Sequence, residues 1–145
     1  MKSTRAVATE EGAEYVVICA QLEADLVDLS PAERIEYLES LGVQSSGVDQ
    51  LIKSAYRVLG LMSFLTAGEK EARAWTIPQN SRAQDAAGAI HSDIARGFIR
   101  AEIVGYEDLM RAGSYATARE QGLLRLEGKD YIMQEGDIVN FRFNV

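Results

Sequence analysis

The sequence predicts an α+β chain in two parts, and three observations predict it. Residues 14–20, EYVVICA, form a nearly unbroken apolar, β-branched run, the pattern of a strand buried on both faces. Two helices with clear start and stop signals follow between Ser30 and Gly60. From Leu61 onward, short alternating strands surround one principal helix, which describes a small α+β roll of the β-grasp type.

Each element has its own signal. Ser30, Pro31 and Glu33 supply a capping box with proline at the first helical position, and Gly42 ends the helix they start. Val48, Leu51, Ile52, Ala55, Tyr56 and Leu59 recur at helical spacing before Gly60. EARAWTIP alternates and Pro78 closes it. Ser81 and Gln84 read as a second capping box, opening a helix with the stripe Ala83, Ala86, Ala87, Ile90 and Ile94 that Gly97 ends. In FIRAEIV, Ile99, Ala101 and Ile103 face the core while Arg100 and Glu102 face solvent. In the last strand Val139, Phe141, Phe143 and Val145 alternate with Ile138, Asn140, Arg142 and Asn144, and QEGD before it is a turn. GSYATAREQGL is a short polar helix or loop, and Gly128 with Lys129 a hairpin turn. The run at 14–20 has no companion strand of its own kind, so its sheet is expected upstream of Met1.

Charge and composition exclude several classes. The net charge is −7; residues 1–65 carry 5 basic against 10 acidic residues and residues 66–145 carry 10 against 12. Acidity on this scale opposes a stand-alone nucleic-acid binder and DNA as a partner, while the nearly balanced second half keeps RNA open. The single cysteine, Cys19, rules out an internal disulfide or a cysteine zinc cluster and suits a reducing compartment. No apolar run is long enough for a membrane span, and no secretory signal opens the chain, so a cytoplasmic protein is expected.

The candidate chemistry is mostly negative. His91, Ser92 and Asp93 are consecutive on a helix-like stretch and point away from one another, so they cannot form a triad, and no second histidine exists. The phosphate-binding pattern GxxxxGK[ST] is absent. Glu23, Asp25 and Asp28 read as a solvated helix face, and Cys19 as a small core residue. Arg73, Arg96, Arg100 and Arg142 with Trp75 could form a face that contacts RNA by stacking and phosphate pairing.

Three blocks, FLTAGEKEARAWTIP, AAGAIHSDIARGFIRAEIVGYED and RLEGKDYIMQEGDIVNFRFNV, closely resemble the C-terminus of YchF-type proteins, Obg-related P-loop NTPases that as a family favour ATP over GTP. The resemblance runs from about Ala8 to Val145. It implies that residues 65–145 are a TGS domain, a ubiquitin-like β-grasp that docks on the ribosome or its RNA. For such a docking face, Arg73, Trp75, Arg96, Arg100 and Lys129 are the expected contact residues. It implies that residues 1–64 are the last strand and closing helices of an NTPase domain, with Cys19, Ala20 and Gln21 beside the nucleotide base. ATP or GTP with magnesium, and hydrolysis, then belong to a full-length parent that supplies the missing NTPase domain; this chain holds no cofactor or metal. The competing expectation is a stand-alone β-grasp interaction protein without enzymatic activity. A sulfur-carrier version is disfavoured, since the chain ends in Phe143, Asn144 and Val145 rather than Gly-Gly.

Overall fold

The computed structural model describes residues 3–68 and 71–144. The chain divides into two compact units, Met1–Leu59 and Gly60–Val145.

The first unit is helical: α1 (Thr4–Glu11), α2 (Ala20–Leu26), α3 (Pro31–Ser40) and α4 (Gly47–Leu59). Ser30 caps α3 as expected: its hydroxyl accepts from the Glu33 N–H, and the Glu33 carboxylate accepts from the Ser30 N–H at 2.8 Å. Gly42 and Gly60 have φ of 68° and 63°, the left-handed conformation that ends α3 and α4. The run at 14–20 corrects the sequence reading: residues 13–19 have no strand partner among the described residues, and Val17 is 74% exposed. β-branched residues favour extended backbone, but a strand exists only when its N–H and C=O groups pair with a neighbour. Glu14, inside this run, instead accepts hydrogen bonds from both Ser54 and Arg57 of α4. Cys19, expected in a core, is exposed.

The second unit is α+β, with a mixed five-stranded sheet of order β2-β1-β5-β3-β4. Its strands are β1 (Leu61–Ala67), β2 (Ala72–Pro78), β3 (Phe98–Gly105), β4 (Arg125–Glu127) and β5 (Asp137–Phe143), and its helices are α5 (Ala83–Ile90), α6 (Ser92–Arg96), α7 (Tyr106–Ala112) and α8 (Tyr115–Glu120). β1 and β5 run parallel, and the remaining pairings are antiparallel. The main core lies between one sheet face and α5, built on Met62, Phe64, Ile77, Ala86, Ile103 and Phe141. A smaller core on the opposite face joins Val104 and Ile138 to Leu109 of α7 and Ala118 of α8.

Four local expectations change for physical reasons. Ser81 and Gln84 form no capping box. The α5 N-terminus is satisfied instead by main-chain carbonyls, Ala83 N–H donating to Tyr131 O at 2.8 Å and Gln84 N–H to Lys129 O at 3.3 Å. The predicted single helix breaks at His91, whose Nδ1 accepts from the Asp93 N–H at 3.2 Å and so caps α6. The break leaves Ile90 and Ile94 packed on the same core. Ile99 turns outward, because the pairing steps from Phe98↔Phe143 to Arg100↔Arg142 and leaves Ile99 as the extra residue of a bulge. Phe98 takes the inward place, with its ring 5.9 Å from that of Phe141. Finally, Gly128 and Lys129 form a turn but no hairpin, since β4 pairs only with β3 among the described strands. Val145 lies outside the described residues.

Gly97 closes α6 at φ −88°, so no conformational rule demands glycine there. Packing demands it: a Cβ would collide with the Asn144 carbonyl, and Asn144 N–H donates to Gly97 O at 2.9 Å.

Candidate functional site

Cross-strand register decides which predicted site residues meet. Directly paired residues of antiparallel strands project from one face. Arg100 pairs with Arg142, Glu102 with Asn140, and Val104 with Ile138, which places all six on the face opposite α5. Trp75 pairs with Phe64 and Arg73 with Thr66, on the α5 face. The five predicted contact residues therefore do not share one surface. Arg73 and Trp75 occupy one sheet face, Arg100 the other, Arg96 ends α6, and Lys129 sits in the turn that caps α5.

Trp75 is also committed. The Arg73 guanidinium lies 4.2 Å from the centroid of its ring, its Nε1 donates to Thr66 Oγ1 at 2.9 Å, and it packs against the core. A base could stack there only by displacing Arg73. Arg96 is paired with Asp93 on its own helix. Of the three residues expected beside a nucleotide base, Cys19 precedes the first turn of α2, Ala20 begins it, and the Gln21 amide donates to Asp25 at 2.8 Å. The acidic residues nearby are structural as well. Glu23 accepts the Gly47 N–H at 2.6 Å at the start of α4, and Asp25 accepts from Tyr37. Among the described residues no group of three His, Cys, Asp or Glu side chains is arranged to hold a metal ion, and no helix is long and apolar enough to cross a membrane.

What the register assembles instead is a groove of about 400 Å³ on the half of the sheet that α7 and α8 leave uncovered. Glu102 is its floor. Its carboxylate accepts from Arg142 at 3.0 Å and Asn140 at 3.4 Å, with the Arg119 guanidinium 4.0 Å away. The Glu102 side chain is 12% exposed, against 51% for Arg142 and 69% for Arg119, so a nearly buried carboxylate holds the Arg142 guanidinium by a hydrogen bond and lies beside the more exposed Arg119. Tyr115 at the start of α8 forms one wall, and burial pushes its phenol above the usual tyrosine range. Sequence reasoning named Arg142 but missed Tyr115, Arg119 and Asn140. The detectable signal was the polar set of each alternating strand, Arg100 and Glu102 in one and Asn140 and Arg142 in the other.

The EGKDYIMQEGD block performs a different task. The Asp137 carboxylate is 3% exposed and accepts from the Tyr131 hydroxyl at 3.0 Å, the Gln134 N–H at 2.9 Å and Arg125 at 3.4 Å. This network ties the long β4–β5 connection to the strand that follows it, so the block reads as a fold-determining clasp.

A family model, YchF-GTPase_C, described as a protein of unknown function (DUF933), matches residues 61–144. The chain is 52% identical over 141 residues to the ribosome-binding ATPase YchF of Bacillus subtilis (strain 168), spanning 97% of this chain and 38% of that protein. It is 43% identical over 145 residues to the ribosome-binding ATPase YchF of Escherichia coli O157:H7, spanning 100% of this chain and 40% of that protein. Among solved structures, the Schizosaccharomyces pombe YchF GTPase superposes with a TM-score of 0.79 at 31% identity, covering 95% of this chain and 37% of that one. A GTP-binding protein from Pyrococcus horikoshii OT3 shares the fold, with a TM-score of 0.60 at 20% identity over 97% of this chain and 41% of that one. The chain thus spans about two fifths of the length of the curated relatives it matches. Since the family model covers more than half of its residues, the chain belongs to the YchF family.

Proposed function

We propose that this chain is the C-terminal portion of a ribosome-associated ATP- or GTP-binding protein of the YchF type, and that its second unit is a docking module for the ribosome or its RNA. The observation that carries this reading is the extent of the match: relatives named ribosome-binding ATPases align over 97% and 100% of the chain. The five-stranded mixed sheet packed on α5 is consistent with a β-grasp of the TGS kind for residues 65–145. Residues 1–64 are then the end of the nucleotide-binding domain, with Cys19, Ala20 and Gln21 beside the base. ATP or GTP and magnesium bind in the parent protein, which works in the cytoplasm.

Docking through the second unit uses the guanidiniums of its open face, Arg100, Arg119 and Arg142, more than Trp75, whose ring is occupied by Arg73. Co-sedimentation of the chain with ribosomes tests the reading. The unmodified chain is expected to pellet with ribosomes and to be released as salt rises. The pair Arg100→Glu and Arg142→Glu is expected to pellet poorly while retaining its helical and sheet content. Absence of co-sedimentation by both the chain and its full-length parent would remove the proposal.

A further inference from the structure

The α3 helix starts well but leaves its apolar face uncovered. Its capping box is complete, yet none of its residues from Pro31 to Ser40 is buried, and Ile35 is 59% exposed. Ile35 and Leu38 stand three positions apart and so share one face of the helix. Both line a hollow of about 410 Å³ together with Leu26, Val27 and Val48, and a second of about 460 Å³ together with Val43. Exposed apolar side chains gathered inside a polar rim mark an interaction site.

The charge of the rim decides what kind of partner fits. Residues 20–52 carry seven acidic side chains against Arg34 as the one basic residue, a net charge of −6 in a chain of −7. Arg34 is spent on the main chain, donating to Leu29 O at 3.0 Å and to Val27 O at 3.2 Å. Glu23 and Asp49 line the first hollow and Glu39 the second, so the field over the groove is negative. Nucleic acid and anionic lipid surfaces are repelled, and a second copy of the chain brings the same −6. A complementary partner combines apolar side chains with lysines or arginines. Backbone chemistry selects its conformation. The first unit has no strand among the described residues, so an extended peptide finds no ladder there, whereas a helix satisfies its own N–H and C=O groups and presents apolar residues at i, i+3, i+4 and i+7.

We propose that the groove beside α3 takes a basic amphipathic helix of a partner protein, with its apolar residues on Ile35, Leu38 and Val48 and its cations facing Glu39 and Asp49. The groove lies wholly within the first unit and is independent of ribosome docking by the second.

The test is fluorescence anisotropy of the full chain with a dye-labelled peptide of leucine, lysine and alanine, about 18 residues long so that it is helical by itself, with its leucines on one face. A scrambled peptide of the same composition has the charge without the face, and is expected to bind at least about tenfold more weakly. Replacing the lysines by glutamate is expected to cost at least as much. Ile35→Gln, at an exposed position, is expected to weaken binding of the amphipathic peptide by about tenfold, and Ile99→Gln in the second unit to leave it unchanged. Glu39→Lys combined with Asp49→Asn is expected to weaken it at low salt and to matter less as salt rises. Far-ultraviolet ellipticity identifies any variant that fails to fold; the scrambled and glutamate peptides, which leave the chain untouched, then carry the decision. The full-length parent is expected to bind the amphipathic peptide as well as the chain does. Equal binding of the scrambled peptide, or unchanged binding by Ile35→Gln, would overturn the proposal. Failure of the parent to bind would overturn it too, assigning the groove to the parent's own preceding segment. A chain that sediments as a dimer and becomes monomeric in Ile35→Gln would give the groove to a second copy and likewise end the proposal.

Discussion

Asp137 and Glu14 show how differently two carboxylates can serve one chain. Asp137 is buried and satisfies the Tyr131 hydroxyl, the Gln134 N–H and Arg125 together. Asp137→Ala strands all three donors, and stranded donors cost more than a hydrogen bond contributes. The expected loss is about 3 kcal/mol, read as a lower urea midpoint at unchanged slope. Glu14 lies at the surface, where hydrogen bonds from Arg57 and then Ser54 hold its carboxyl at about 2 instead of 4.5. A depressed carboxyl stabilises the fold above its unfolded value and loses that contribution as pH falls through its folded value. Thermal melts of the chain and Glu14→Gln should therefore differ near neutral pH and converge as pH drops from 4.5 toward 2. A gap that stays constant down to that acidity would contradict the pairing.

At the scale of elements, strand alternation is reliable until a bulge interrupts it. Ile99 and Ile103 occupy equivalent positions in the pattern, yet Ile99 is 59% exposed and Ile103 fully buried. Ile99→Ala is expected to change stability by less than about 0.5 kcal/mol, and Ile103→Ala to cost about 3 kcal/mol. Equilibrium unfolding of the two variants separates the cases, and similar losses would place the bulge elsewhere. The capping box of α3 was legible because all of its partners lie within four residues. The α5 start was not, because its carbonyl partners at Lys129 and Tyr131 are more than forty positions away. Nor was the break at His91, which depends on how α6 returns to the core.

For the whole molecule, the two units differ in how much apolar surface they remove from water. Buried apolar side chains in the first unit are confined to Ala8 and Leu26 among the described residues, neither of them fully buried, while Phe64, Ile103, Met133 and Val139 anchor the second. Hydrophobic burial is the main favourable term, so the first unit should unfold at lower denaturant. Trp75, the only tryptophan, reports the second unit alone. Ellipticity at the helical wavelength is expected to fall first, with Trp75 fluorescence changing at higher urea. Coincident transitions would mean that the units unfold together.

The sequence by itself determined the α+β class, the positions of most strands, the capping box of α3, the glycines that end α3 and α4, and the family, because local propensity, periodicity and motif blocks are properties of neighbouring residues. It also excluded a histidine triad and a phosphate-binding loop within this chain. Only the tertiary structure decided that residues 13–19 have no ladder partner among the described residues, that Trp75 is covered by Arg73, and that the arginines divide between opposite faces. It alone joined Tyr115 and Arg119 to Glu102 and Arg142. The division of the arginines and the meeting of Glu102 with Arg142 depend on the pairing register of strands far apart in sequence, where a one-residue slip sends every side chain to the other face.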